Sequence, residues 1–149
     1  MSKVKRFLRS DFGHSSRIVV RWGDMDALGH VNNAKFFTYD EQARLDYFRA
    51  FEQVVPGMWK EQGLILARLG CDFLQQLHCP AELDVAFRIA RFGRSSMDTE
   101  CAMFEGERLV AVCQGVLVWF DYRAQKAAPI PEAVKAQIRQ REVSPPAES

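Results

Sequence analysis

Within ten residues the chain gathers two carboxylates, a histidine and two carboxamides, in the run Asp24-Met-Asp-Ala-Leu-Gly-His-Val-Asn-Asn33. The carboxylates lie two apart, His30 follows the second by four, and a helical pattern begins at Asn33. A helix start carries unpaired N–H groups and a partial positive charge. Such a site can hold a developing oxyanion, and a carboxylate beside it can activate water or attack directly. These residue types at this spacing point to acyl transfer or hydrolysis. They equally suit a structural loop whose aspartates and asparagines cap turns and the helix, and the residue types alone leave both readings open.

The flanking segments must position this loop. Arg17 to Trp22 is a short β-branched run that reads as a strand, with Ile18, Val20 and Trp22 on one face. From Asn33 to about Val54 the spacing is helical, with Phe36, Ala43, Tyr47, Ala50 and Val54 in one stripe and Pro56-Gly57 as its end. Asn32 or Asn33 serves as the N-cap. Period-two alternation then predicts strands over 64–75, 82–92 and 96–104. The nearly continuous apolar run Leu109–Phe120 reads as a central strand covered on both faces. Short turns at Gly93-Arg94 and Glu105-Gly106-Glu107 make the last three strands antiparallel neighbours. The order is one strand, one long apolar helix and four strands, an α+β layout in which a curved sheet wraps a single central helix. Residues 1–15 read as a loose lead-in, Glu132–Gln140 as a terminal helix and the last residues as a flexible tail.

A chain of 149 residues is one domain with enough length for a sizeable core. Twenty Lys and Arg against 19 Asp and Glu remove the electrostatic case for a nucleic-acid or anionic-membrane partner. No apolar run is long enough to span a bilayer, and the first residues lack the apolar stretch of a signal peptide. The expectation is a cytoplasmic protein whose four cysteines stay reduced. The cysteines form no C-x-x-C pair and the three histidines are scattered, so no metal site is expected. Met97, Met103, Trp22 and Trp119 read as core, and Trp59 as a residue that could border an acyl pocket.

The run Arg21-Trp-Gly-Asp-Met-Asp-Ala-Leu-Gly-His-Val-Asn-Asn-Ala34 resembles the N-terminal signature of the hotdog-fold acyl-CoA thioesterases of the 4-hydroxybenzoyl-CoA thioesterase type. Glu41-Gln-Ala-Arg44 is similar to that family's E-x-A-R on the central helix. Arg94-Ser95-Ser96 is similar to its basic-then-serine turn, and Asp121 with Pro129-Ile-Pro131 to its closing segment. The resemblance runs from about Arg17 to Pro131 and departs before the third strand, where His78-Cys79-Pro80-Ala81-Glu82-Leu83 stands in place of a Pro followed by Gly-Asp. It implies a hotdog fold, a five-stranded antiparallel sheet around one helix, in a single domain with its core at about 17–131 and a flexible tail at about 141–149. It implies hydrolysis of an acyl-CoA to free acid and CoA without a cofactor. The catalytic carboxylate falls on Asp26, as nucleophile or general base, and the backbone N–H that holds the thioester carbonyl falls on Asn33. Arg94, with Ser95 and Ser96, falls where the family contacts the CoA nucleotide. Asp24 is then a loop-fixing group. His30 either orients the reacting groups or is a loop histidine bonded to backbone.

Two rivals share the fold: a hotdog domain that binds acyl thioesters without turning them over, and a hotdog dehydratase or hydratase. The aspartate retained at position 26 speaks against the first. The second needs a histidine paired with an acid across the pocket, whereas His30 is tied to the Asp26 loop and His14 and His78 lie in segments unlike a site. One helix covers one face of a sheet that still has edges, so a homodimer or homotetramer is expected, with sites shared between subunits as the resemblance implies.

Overall fold

A computed structural model describes residues 4–149. After a short 3₁₀ turn at Arg9–Asp11 come β1 (Ser15–Val20), a second 3₁₀ turn (Trp22–Asp24) and α1 (Asn33–Arg49). There follow β2 (Gln62–Phe73), β3 (Ala81–Phe92), β4 (Ser96–Glu105), β5 (Arg108–Asp121), a two-residue β6 (Lys126–Ala127), α2 (Glu132–Arg141) and a two-residue β7 (Ala147–Glu148). The main sheet is antiparallel in the order β1-β3-β4-β5-β2, so β1 and β2 are its edges. The hotdog arrangement expected from the resemblance is present: the sheet curls around α1.

The helix forms because its apolar positions recur at helical spacing and Asn32 caps it, accepting from the Ala34 N–H at 3.0 Å. Phe36, Tyr39, Ala43, Tyr47 and Phe48 turn inward, and Phe51 in the following 3₁₀ turn joins them. Tyr47, Phe48 and Phe87 meet edge-on with ring centroids 4.9–6.3 Å apart. Each fully buried ring contributes about 1.5–3 kcal/mol by leaving water, so the helix–sheet contact dominates the core.

Strict alternation fails at a bulge between Ile89 and Arg91, which leaves Ile89 and Phe92 both in the main core, and at two others. A bulge between Leu66 and Arg68 changes the phase of β2, so Leu64 and Leu69, an even and an odd position, both pack on the helix side. The remaining bulge lies opposite Met103 and Phe104, leaving Val110 and Ala111 together in the main core while Leu109 and Val112 join a smaller cluster on the outer face. Gly115 is required in β5, because a Cβ there would lie 2.6 Å from the Arg68 carbonyl oxygen.

The ends of the chain differ from their sequence-based description. The lead-in is packed: Phe7 and Phe12 cover Ala86, Ala102 and Val112 on the outer face. The Arg88 guanidinium lies about 5 Å from both rings and is paired to Glu100 at 2.9 Å. At the other end Val134 and Ile138 are fully buried, and β7 pairs with Arg91–Phe92, so the packed unit extends beyond 17–131 and includes part of the tail. Trp22 is 86% exposed rather than core, because β1 stops at Val20 and the 3₁₀ turn swings the next residues outward. Met97, Met103 and Trp119 are buried as expected. No helix among the described residues is long and apolar enough to cross a membrane.

The loop is tied to the helix by one buried carboxylate. Asp24 is 2% exposed; its Oδ2 accepts from the Tyr39 hydroxyl at 2.7 Å and the Arg21 N–H at 3.1 Å, and its carbonyl accepts from the Asn32 N–H at 2.9 Å. Burial raises its pKa, but the Arg21 N–H, the Tyr39 hydroxyl and the charges of Arg21 and Lys35 outweigh that and hold it below the usual carboxylate range. Asp24→Asn is therefore expected to cost about 1–3 kcal/mol of stability near neutral pH. Because the folded carboxyl has the lower pKa, the unfolded chain takes up the proton first, below about pH 4, and the wild type loses this contribution as the pH falls further. Urea unfolding at pH 7 and pH 3 should show the gap between wild type and variant narrowing in acid; a constant or widening gap contradicts the assignment.

Candidate functional site

Residues 25–31 fold back on themselves between the end of β1 and the start of α1. Met25 and Val31 form an isolated antiparallel bridge, the Asp26 N–H donates to the His30 carbonyl at 2.7 Å, and the Gly29 N–H donates to the Asp26 carbonyl at 3.2 Å. Gly29 sits at φ +85°, in the left-handed region that glycine enters without strain. The Asp26 carboxylate closes the turn: its Oδ1 accepts from the Leu28 N–H at 2.9 Å and the His30 N–H at 3.2 Å. Its Oδ2 makes no hydrogen bond or ion pair among the described residues. The turn thus holds one carboxylate oxygen and leaves the other available.

That carboxylate lines a cleft of about 360 Å³ together with His30, Asn33, Phe36, Phe73 and Leu77. Asn33 is the first residue of α1, and its N–H finds no acceptor among the described residues. The positive end of the helix dipole therefore opens into the cleft that holds the carboxylate. Phe36 and Phe73 meet edge-on at 5.2 Å and make one wall apolar. Asp26, His30 and Asn33, expected together from the sequence, are brought together. Asp24 faces away into its contact with Tyr39, a structural anchor as expected.

Arg94, Ser95 and Ser96 are not part of this cleft. They form the turn between β3 and β4: the Ser96 carbonyl accepts from the Gly93 N–H, the Ser95 carbonyl from the Trp119 N–H and the Arg94 carbonyl from the Ile130 N–H. Val20 pairs with Ala81 at the opposite end of the twelve-residue β3, so the Asp26 loop and the Arg94 turn stand a strand apart, roughly 35–40 Å at 3.3 Å per residue. The Arg94 side chain is exposed and makes no ion pair among the described residues. Glu41 faces solvent, and Arg44 bonds chiefly to the buried Asp40 at 2.8 Å. Trp59 packs against the main core and is not a wall of the cleft.

His78, in a segment that reads from sequence as unlike a site, does not line the cleft but stands beside the Asp26 loop. Its ring lies 5.2 Å from that of His30, and its Nδ1 is 2.8 Å from the Gly29 carbonyl oxygen. Spacing offered no signal for this, because the two segments meet only through the pairing of β1 with β3, strands separated in the chain by α1 and β2. Phe73 is likewise distant in sequence from the loop and reaches the cleft from the end of β2, against Phe36 of α1. The thiols are unpromising nucleophiles: Cys71, Cys113 and Cys101 stand in register across three strands, burial pushes the Cys101 thiol up, and hydrogen bonding to Cys113 does the same to Cys71.

Comparison with known proteins extends this picture. A thioesterase from Thermus thermophilus, solved in complex with coenzyme A and Zn, is 36% identical, with a TM-score of 0.79 over 91% of this chain and 98% of that one. The PA5185 protein from Pseudomonas aeruginosa is 25% identical, with a TM-score of 0.80 over 92% and 96% of the two chains. The uncharacterized protein YsmA of Bacillus subtilis is 28% identical over 89 residues, a match that spans 60% of this chain and 59% of that protein. Residues 20–138, from the end of β1 through most of α2 and so including the Asp26 loop and the Arg94 turn, match the model of one family, and the chain belongs to it: the thioesterase-like superfamily.

Proposed function

We propose that the chain hydrolyses an acyl-CoA thioester to a carboxylic acid and free CoA. The observation that carries this reading is the pairing, in one cleft, of an available carboxylate oxygen on Asp26 with the unpaired Asn33 N–H at the start of α1. A thioester carbonyl oxygen set on that N–H gains stabilisation as negative charge develops on it. Asp26 either takes a proton from an attacking water or attacks the carbonyl carbon itself. The C–S bond breaks, the thiolate leaves and is protonated, and the acid is released after water has supplied its oxygen. His30, half-buried beside both groups, is suited to orient the water or the thioester. The Thermus relative's complex with coenzyme A supports a CoA-type carrier.

The distance between Asp26 and Arg94 is understandable if the site is shared between two copies. The free edge of β2 exposes Ile65, Leu66 and Phe73, and an apolar open edge invites a second strand. Arg68 and Asp72 make no ion pair among the described residues and stand two residues either side of Gly70. Two β2 strands paired antiparallel about Gly70 would set Arg68 of each copy against Asp72 of the other. The Arg94 end of one sheet would then lie alongside the Asp26 end of its neighbour.

Asp26→Asn should lower kcat by about 10²–10⁴ and leave KM within a few-fold, as measured by thiol release from a panel of acyl-CoAs. Turnover within a few-fold of the parent excludes Asp26 as base or nucleophile, and no thiol release by the wild type favours a domain that only binds thioesters. Arg94→Ala should raise KM for CoA thioesters more than for pantetheine thioesters, because a contact remote from the scissile bond contributes mainly uniform binding. Mixing the Asp26→Asn and Arg94→Ala proteins should restore part of the activity; mixtures no better than their components contradict a shared site. In sedimentation, Asp72→Arg should weaken the dimer and Arg68→Asp/Asp72→Arg should restore it, while a wild-type monomer at micromolar concentration defeats the β2 pairing.

A further inference from the structure

We propose that His78 is a positioning residue for the Asp26 turn, and that its hydrogen bond to the Gly29 carbonyl fixes the carboxylate in its working geometry. The kinetic consequence rests on the thioesterase reading; the structural one does not. A carbonyl oxygen can only accept, so the Nδ1 that lies 2.8 Å from the Gly29 oxygen carries the proton. The bond is therefore made by the imidazolium or, when the ring is neutral, by the Nδ1–H tautomer. Two links join the segment before β3 to the loop: the Val31 N–H donates to the Leu77 carbonyl at 2.8 Å, and the His78 Nδ1–H donates to Gly29. His30 lies between those two points and carries one of the two N–H groups that hold Asp26 Oδ1, the other being that of Leu28. The first link is backbone to backbone and survives any change at position 78. The second depends on that side chain alone, and it acts on the glycine whose left-handed backbone closes the turn. Leu77 is fully buried, so this segment is a fixed post against which the turn is held.

His78 is exposed and makes no hydrogen bond or ion pair with Asp26 itself, so its effect runs through Gly29 and His30. Loss of the link lets the turn relax, and small misplacements of a reacting group are costly. Three variants separate the hydrogen bond from the ring contact. His78→Ala removes both, His78→Phe keeps a ring beside His30 without a donor, and His78→Asn supplies an N–H at nearly the same position as Nδ1. We expect kcat to fall about tenfold in the Ala and Phe variants with KM within twofold, and to stay within about threefold of wild type in His78→Asn. Two NMR measurements do not need turnover. Long-range ¹⁵N–¹H spectra with the imidazole neutral should show His78 as the Nδ1–H tautomer. Exchange of the His30 amide proton should quicken about tenfold in the Ala and Phe variants and not in Asn. The proposal is overturned by an Nε2–H tautomer, by unchanged His30 exchange in His78→Ala, or by an Asn variant as slow as Ala. A wild type that hydrolyses no thioester would overturn the functional reading, and the two NMR results would then decide the role of His78.

Discussion

A carboxylate that water scarcely reaches sets the geometry on which this molecule's site depends. Asp24 is buried between the end of β1 and the first turns of α1, and desolvation makes that placement costly unless its oxygens are satisfied. The Tyr39 hydroxyl, the Arg21 N–H and two nearby cations satisfy them, and the Asn32 N–H meets its backbone carbonyl. Loop and helix start are thereby locked to each other. The lock makes the next step possible: Asp26, two residues on, is presented at a fixed place relative to the Asn33 N–H. Of two aspartates of the same type, the buried one spends all its bonds on structure and the half-buried one keeps an oxygen free.

The helix itself is held by aromatic packing rather than by capping alone. Tyr47 and Phe48 lock edge-on against Phe87 of β3, the strand that also pairs with β1, and Phe51 packs edge-on against Phe48. The helix axis and the strand leading into the loop are therefore referenced to the same neighbour. The bulges in β2 and opposite Phe104 let the sheet curl while both halves of each strand keep apolar side chains inward. At the far end, Tyr47 donates to the half-buried Glu142 at 2.5 Å, and Glu142 also accepts from the Ile89 N–H at 3.1 Å. Desolvation pushes that carboxyl up, while Tyr47 and the Ile89 N–H pull it down. The C-terminal segment is thus fastened to the helix and to β3 together.

The cleft combines groups of opposite character. One wall is apolar, with Phe36, Phe73 and Leu77, and the other presents Asp26, His30 and the helix start. An apolar wall lowers the local dielectric, which strengthens the interaction between a helix N-terminus and a developing oxyanion. Phe73 belongs to the open edge strand β2, so the cleft lies at the border of the sheet.

The alternation of the strands, the helical spacing from Asn33 and the turn residues at Gly93 and Gly106 were sufficient to read the element order and the α+β wrapped-helix layout from the sequence, because side-chain period and turn chemistry are local properties. The Asp26, His30 and Asn33 cluster was legible for the same reason: all three lie close together in the chain and the helix begins among them. What lay beyond was non-local. Strict period two could not reveal the bulges at Ala67, Ala90 and Val110, since a bulge is decided by how two strands fit. Trp22 looked like core because nothing in its neighbourhood announced that the strand would stop at Val20. Phe7 and Phe12 looked like a loose lead-in because the surface they cover is assembled from β3, β4 and β5. His78 was invisible as a neighbour of the loop until the pairing of β1 with β3 brought residues 49 positions apart to within a hydrogen bond. Local periodicity determines which segments become helix or strand and which side chains share a face; only tertiary packing decides which of those faces meet.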